Sequence, residues 1–159
     1  MRYIDLTATA VDRQLRPYQL NHKKEIYQAW DDGCCSVMLQ MPTGTGKTHL
    51  FVSIINDFQT CINQCRVLVL AHRDEILNQI CDTLYYKYKV PCGKIDKSNH
   101  SVEHNNILVA SVQTMVKRLK AYEDNFDLIV VDEAHHTKAK SYKRIIKHFP
   151  SAKVLGVTA

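Results

Sequence analysis

Long hydrophobic runs are missing from this chain. No stretch approaches the ~18 apolar residues of a membrane span, and the opening MRYIDLTATAVDR has no apolar signal-peptide core. Paired cysteine motifs are missing too: Cys34, Cys35, Cys61, Cys65, Cys81 and Cys92 form no C-x2-C pair, which removes the usual zinc signature. Without a secretory signal their even count does not argue for a disulfide framework, so they are expected to be reduced and mostly packed. His100 and His104, four apart and not far from Cys92, read more simply as histidines of a polar loop than as metal ligands. Repeats, low-complexity tracts and linkers are also lacking. These absences lead us to expect a non-secreted, intracellular (cytoplasmic) protein.

A strong excess of one charge is absent as well. Twenty-one Lys and Arg against sixteen Asp and Glu leave +5, which permits a polyanionic partner without demanding one. The chain has 159 residues, about one domain on a prior of roughly 100–200 residues each. Its 45% hydrophobic and 23% charged residues are ordinary for a globular core. Function must therefore come from motifs.

What is present is an alternation. Short apolar runs at 36–40, 66–70, 107–110, 128–131 and 153–157 are each followed or separated by helical candidates at 47–58, 74–86, 112–122 and 141–148. A further helix is expected over 17–30, with Pro17 near its start and Ile26, Tyr27 and Trp30 on one face. Strands apolar throughout, alternating with helices, predict an α/β domain whose mostly parallel sheet is covered on both faces. Segment 91–106 reads as a polar surface loop with room for one short strand.

Between the first strand and the next helix lies Met41-Pro42-Thr43-Gly44-Thr45-Gly46-Lys47-Thr48. Gly44 and Gly46 allow backbone conformations closed to other residues, so that successive amides can turn inward around phosphate oxygens. The helix that follows adds the positive end of its dipole. Lys47 supplies a point charge for the β- and γ-phosphates, and the Thr48 hydroxyl is placed to ligate Mg²⁺. The bland alternative is a glycine-rich turn with a surface lysine, but chance would produce this pattern at a strand-to-helix junction only rarely. Met41 stands where the general pattern has its first glycine.

The apolar run 128–131 leads straight into Asp132-Glu133-Ala134-His135. A strand ending in a carboxylate holds it at the carboxyl edge of the sheet, beside a phosphate loop. Asp132 would then reach Mg²⁺ through its water shell, and Glu133 would polarise the water that attacks the γ-phosphate. His135 is either a hydrogen-bonding relay or a plain turn histidine.

Taken together, LRPYQ at 15–19, MPTGTGKT at 41–48, VLVLAHRDEILNQ at 67–79, ASVQTM at 110–115, DEAHH at 132–136 and LGVTA at 155–159 resemble the first RecA-like domain of a superfamily 2 helicase or translocase of the DEAD/DEAH-box kind. The resemblance is nearest to the restriction-enzyme motor (res) subunits and their stand-alone helicase relatives. It implies a RecA-like P-loop domain over 1–159, with an N-terminal helical segment at 1–33 and the P-loop core at 34–159. It also implies ATP and Mg²⁺ as cofactors.

The resemblance implies that Gln19, with Arg16 nearby, reads adenine, while Pro42, Thr43, Gly44, Thr45, Gly46, Lys47 and Thr48 hold the phosphates. Lys47, Asp132, Glu133 and His135 would form the catalytic set. Arg73, Gln113 and Thr114 would hold nucleic-acid backbone, and Thr158 would couple hydrolysis to movement. The bland readings are a helix-start arginine for Arg73, local capping for Gln113 and Thr114, and a surface helix residue for Gln19. Lys117, Arg118, Lys120, Lys138, Lys140, Lys143 and Arg144 read as solvated helix faces. A second RecA-like domain, the source of an arginine finger, is expected downstream in a longer protein. The implied activity is a DNA helicase or translocase, with RNA as the alternative substrate. A P-loop transferase and an ATP-switched nucleic-acid sensor are the rivals.

Overall fold

The computed structural model describes residues 14–95, 105–133 and 139–159. Six strands form one sheet in the order β1-β6-β5-β2-β4-β3. They are β1 (Ser36–Gln40), β2 (Val67–Ala71), β3 (Gly93–Ile95), β4 (Ile107–Ser111), β5 (Leu128–Asp132) and β6 (Lys153–Thr158). Every pairing among them is parallel. Five α-helices accompany them: α1 (Pro17–Asp31), α2 (Lys47–Cys61), α3 (Asp74–Tyr88), α4 (Val112–Arg118) and α5 (Ala139–His148). Among the described residues no helix is long and apolar enough to cross a membrane.

The period-two geometry of strands divides the core in two. Val67, Val69 and Ala71 of β2, with Val109, Val130 and Leu155, pack under α1, α2 and α3. Leu68 and Leu70, with Ala110, Val131 and Val154, face α4 and α5. The central strands are therefore apolar at every position, as a sheet covered on both sides requires. In α3, Leu77, Ile80 and Leu84 make the buried stripe, while Asp74 and Glu75 in the first turn and Lys87 in the last suit the helix dipole.

Local differences from the sequence reading have local causes. The second strand lies one residue later than expected, because Val67 pairs with Ile107 and Leu128 while Arg66 precedes the ladder. Residues 93–95 of the polar segment pair with β4 and form a short edge strand. The fourth helix stops at Arg118, and Leu119–Ala121 tightens into a 3₁₀ turn that keeps Leu119 in the lower core. The cysteines are free but less packed than expected: Cys34 and Cys35 before β1 and Cys61 at the end of α2 are exposed. Only Cys65 is buried; burial, with Asp127 beside it, pushes its thiol up to about 12.

Candidate nucleotide-binding site

The carboxyl edge of β1 leads into the glycine-rich loop. Met41 seats the loop from below: its amide donates to the Thr158 carbonyl at 2.9 Å, and its side chain is buried in the core. A glycine would not fill that space. Thr45 closes the turn, its hydroxyl and amide donating to the Pro42 carbonyl at 2.5 and 3.3 Å. Gly44 and Gly46 take φ of +80° and +85°, and Gly46 caps α2. Pro42, Thr43 and Gly44 are exposed, whereas Thr45 to Thr48 are half-buried.

Gly46 is constrained twice. A Cβ there would collide with Nε2 of Gln19, and the positive φ is strained for any L side chain. Gly46→Ala is therefore expected to lower stability by about 1–2 kcal/mol and to weaken nucleotide binding at least ~10-fold, because the loop must shift to relieve the contact. Thermal unfolding and titration with a fluorescent ATP analogue check this.

The clash partner shows what Gln19 does. Its Nε2 donates to the carbonyls of Thr45 (3.2 Å) and Gly46 (3.1 Å), and its Oε1 accepts from the Arg16 amide at 2.8 Å. Gln19 is 4% exposed, so α1 is fastened to the loop from the side. Tyr18 adds a second fastening, its hydroxyl donating to the Thr45 carbonyl at 2.7 Å, and Arg16 Nη1 donates to that hydroxyl at 3.3 Å.

Asp132 and Glu133 end β5, with β6 between that strand and β1. At ~4.8 Å per strand, the acidic pair stands about 10 Å from the end of β1. Lys47 crosses this gap: its Nζ meets Glu133 Oε1 at 3.0 Å. Glu133 has a left-handed backbone, φ 53°, and its amide donates to Asp132 Oδ1 at 2.9 Å. That turn directs its side chain back toward the loop. Burial, and then the Glu133 charge, push the Asp132 carboxyl above its usual range, while Lys47 and the Glu133 amide act the other way. A buried carboxylate beside another carboxylate is a site that a cation relieves.

A cavity of about 580 Å³ opens over the loop, within the ~300–1,000 Å³ range of small-molecule sites. Gln14, Arg16 and Gln19 line one side, and residues 44–48 form the floor. Gln79 and Lys87 of α3, with His49 of α2, form a wall absent from the sequence reading. Lys87 Nζ lies 3.1 Å from His49 Nδ1. Burial, and then the Lys87 charge, hold the His49 imidazole below its ordinary range.

A smaller cavity of about 270 Å³ is lined by His72, Arg73, Ile76 and Glu133. Arg73, exposed, caps α3, and Gln113 Nε2 lies 3.3 Å from His72 Nδ1. The fold thus brings Arg73, His72 and Gln113 to one edge, next to the acidic pair. Thr114 is held locally: its amide donates to the Ser111 hydroxyl at 3.2 Å, and that hydroxyl donates to its Oγ1 at 2.9 Å. Thr158 sits at the end of β6, opposite Gln40 of β1. Lys117, Lys120, Lys140, Lys143 and Arg144 are exposed and Arg118 is half-buried. His135, Lys138, His100 and His104 lie outside the described residues.

Among the described residues no group of three or more His, Cys, Asp and Glu side chains gathers into a metal cage. The donors at this site are hard oxygens, the Thr48 hydroxyl and the Asp132 carboxylate. That set fits Mg²⁺, which is held by one or two protein oxygens and phosphates and keeps its waters. Sequence reasoning missed Tyr18, His49, His72, Gln79 and Lys87. Three of them had a signal, Tyr18 inside LRPYQ and His72 and Gln79 inside VLVLAHRDEILNQ; His49 and Lys87 become neighbours through the packing of α2 and α3.

An all-parallel sheet with a lysine-bearing loop after one strand and an acidic pair two strands away defines a RecA-like P-loop domain. Solved structures show the same fold: the Hef helicase domain of Pyrococcus furiosus superposes with a TM-score of 0.75 at 23% identity, over 92% of this chain and 33% of that one. The chain belongs to the type III restriction enzyme res subunit family, whose model matches residues 12–159. Among curated relatives, a Saccharomyces cerevisiae protein provisionally named ATP-dependent helicase IRC3 is 34% identical over 87% of this chain and 21% of its own length. The Escherichia coli type I restriction enzyme EcoAI endonuclease subunit is 30% identical over 91% of this chain and 19% of its own length. The chain thus spans about a fifth of the length of these relatives.

Proposed function

We propose that this chain is the single RecA-like, ATP-binding half of a nucleic-acid-dependent ATPase, a helicase or translocase that acts on DNA in preference to RNA. The observation that carries the reading is the Lys47–Glu133 ion pair at 3.0 Å, which joins the phosphate loop to the acidic strand end across β6. ATP and Mg²⁺ are the implied cofactors. The loop amides and Lys47 hold the phosphates, and Arg16 and Gln19 take the adenine edge. Thr48 and Asp132 hold Mg²⁺, partly through water, which supplies charge neutralisation at the phosphates.

Glu133 is the base. While Lys47 holds it, the carboxylate is neutralised. When Lys47 turns to the phosphates, Glu133 is released to orient and polarise the attacking water. Thr158 and His135 belong to the coupling segment of this reading. A second RecA-like domain in a longer chain supplies the arginine that closes the site, a contribution of ~10³–10⁵ in rate in related P-loop enzymes.

Nucleic acid lies along the edge that carries Arg73, Gln113 and Thr114. The 159-residue chain alone offers about two or three phosphate contacts, so single-strand affinity is expected to fall with a log–log salt slope of about −1.4 to −2.1. Its ATP hydrolysis is expected to be almost nil. Fluorescence anisotropy across a salt series, with ATPase assays with and without DNA or RNA, tests both statements. Robust nucleic-acid-stimulated turnover by this chain alone overturns the half-site reading. In a two-domain chain, stimulated hydrolysis without strand displacement or translocation would replace the motor with an ATP-switched sensor.

A further inference from the structure

A fully buried ion pair in the core lies outside every motif. Lys23 and Asp57 are fully buried, with Nζ 2.6 Å from Asp57 Oδ2. Lys23 Nζ also donates to the Ser53 hydroxyl at 2.7 Å, and the Tyr27 hydroxyl donates to Asp57 Oδ2 at 2.7 Å. Trp30, stacked on Tyr27 and edge-on to Phe58, closes the apolar surroundings. On α1, Gln19, Lys23 and Tyr27 follow at four-residue spacing, one stripe of a helix. On α2, Ser53 and Asp57 have the same spacing, one face of the helix that begins at Lys47.

The stripe is therefore one continuous seam. At its upper end Gln19 holds the Thr45 and Gly46 carbonyls; below, Lys23 and Tyr27 hold Ser53 and Asp57. Buried ion pairs seldom add stability over an apolar pair of similar volume, because taking two charges out of water offsets their attraction. What such a pair does enforce is register. Sliding α1 along α2 by one residue would carry the ammonium away from Ser53 and Asp57 and pull Gln19 off the loop carbonyls.

We infer that Lys23 and Asp57 are positioning residues for nucleotide binding: they lock the register in which α1 presents Gln19, Tyr18 and Arg16 to the phosphate loop. This rests on the nucleotide reading above. Neither residue touches the cavity; they act through α1. Loss of the lock should weaken recognition of the base side more than recognition of the phosphates.

The test is the double substitution Lys23→Met with Asp57→Leu in this chain. Urea unfolding is measured alongside titrations with Mg-ATP and with magnesium tripolyphosphate, which has phosphates and no base. The expected result is a cooperative unfolding transition showing that the variant folds, and a ratio of ATP to tripolyphosphate affinity reduced at least ~10-fold. A stable double variant with the parental ratio overturns the inference. Should the double variant not fold, Tyr27→Phe removes only the hydroxyl on Asp57. Its ratio is expected to fall ~2- to 5-fold with the fold intact, and an unchanged ratio overturns the inference equally. Failure of the nucleotide reading itself shows separately, as parental ATP affinity in Lys47→Ala.

Discussion

Glu133→Gln, made in a chain that also carries the second RecA-like domain, is expected to keep ATP binding and to lower turnover at least ~100-fold. The amide matches the carboxylate in shape but neither accepts a proton nor polarises water at neutral pH. Binding is retained because Glu133 is the partner that occupies Lys47 at 3.0 Å in this structure. Removing its charge frees the ammonium for phosphate, so ATP affinity should equal or exceed that of the parent. The left-handed backbone at Glu133 survives the change, since the Glu133 amide still donates to Asp132 Oδ1. Single-turnover hydrolysis and equilibrium binding of a fluorescent ATP analogue separate the two effects. Near-parental turnover would move the base elsewhere and leave Glu133 as a partner of Lys47 alone.

Lys47→Ala should act on the opposite quantity. Truncation removes a charge-assisted bond to phosphate and is expected to weaken Mg-ATP binding by about 2–4 kcal/mol, roughly 30- to 1,000-fold. It also takes from Glu133, and from Asp132 beside it, the ammonium that reaches them from the loop. Burial, and then the Glu133 charge, raise the Asp132 carboxyl above its usual range, and Lys47 partly offsets them. Calorimetric titration gives the affinity, and far-UV circular dichroism checks that α2, which Lys47 begins, still forms. Unchanged affinity would remove the loop from the nucleotide site. Together the two variants divide the site: one fails at binding, the other after it.

Much of the architecture was legible because its signals are local. Apolar runs such as 128–131 are what a strand buried on both faces must look like, and α2 starts at the lysine of its own glycine loop. The loop and the acidic pair were legible because each is a short run of particular residue types directly after an apolar strand. Gly46 takes the positive φ that its place in the loop demands, and Asp132 ends its strand at the carboxyl edge. The short β3 strand was less legible, since a three-residue edge strand borrows its order from β4.

Contacts between distant segments had no such signature. In PYQLNHKKEIYQAW helical spacing puts Lys23 on the face of Ile26, Tyr27 and Trp30 and Lys24 on the exposed one, but it names no partner for a buried ammonium. One residue along a helix turns the side chain by about 100°, and packing against α2 supplies the partner, Asp57. His49 and Lys87 likewise meet across a separation of 38 residues. Gln19 is a helix glutamine by sequence; the fold makes it the fastening of the phosphate loop, because α1 lies along α2 with Gln19 level with Gly46. The sequence by itself determined the parallel α/β class, the family, and the glycine loop and acidic pair at their strand ends, because each is a requirement on neighbouring positions. The tertiary structure alone decided that Lys47 spans β6 to Glu133 and that a buried ionic seam holds the loop, because both depend on how helices and strands far apart in the chain come to rest against one another.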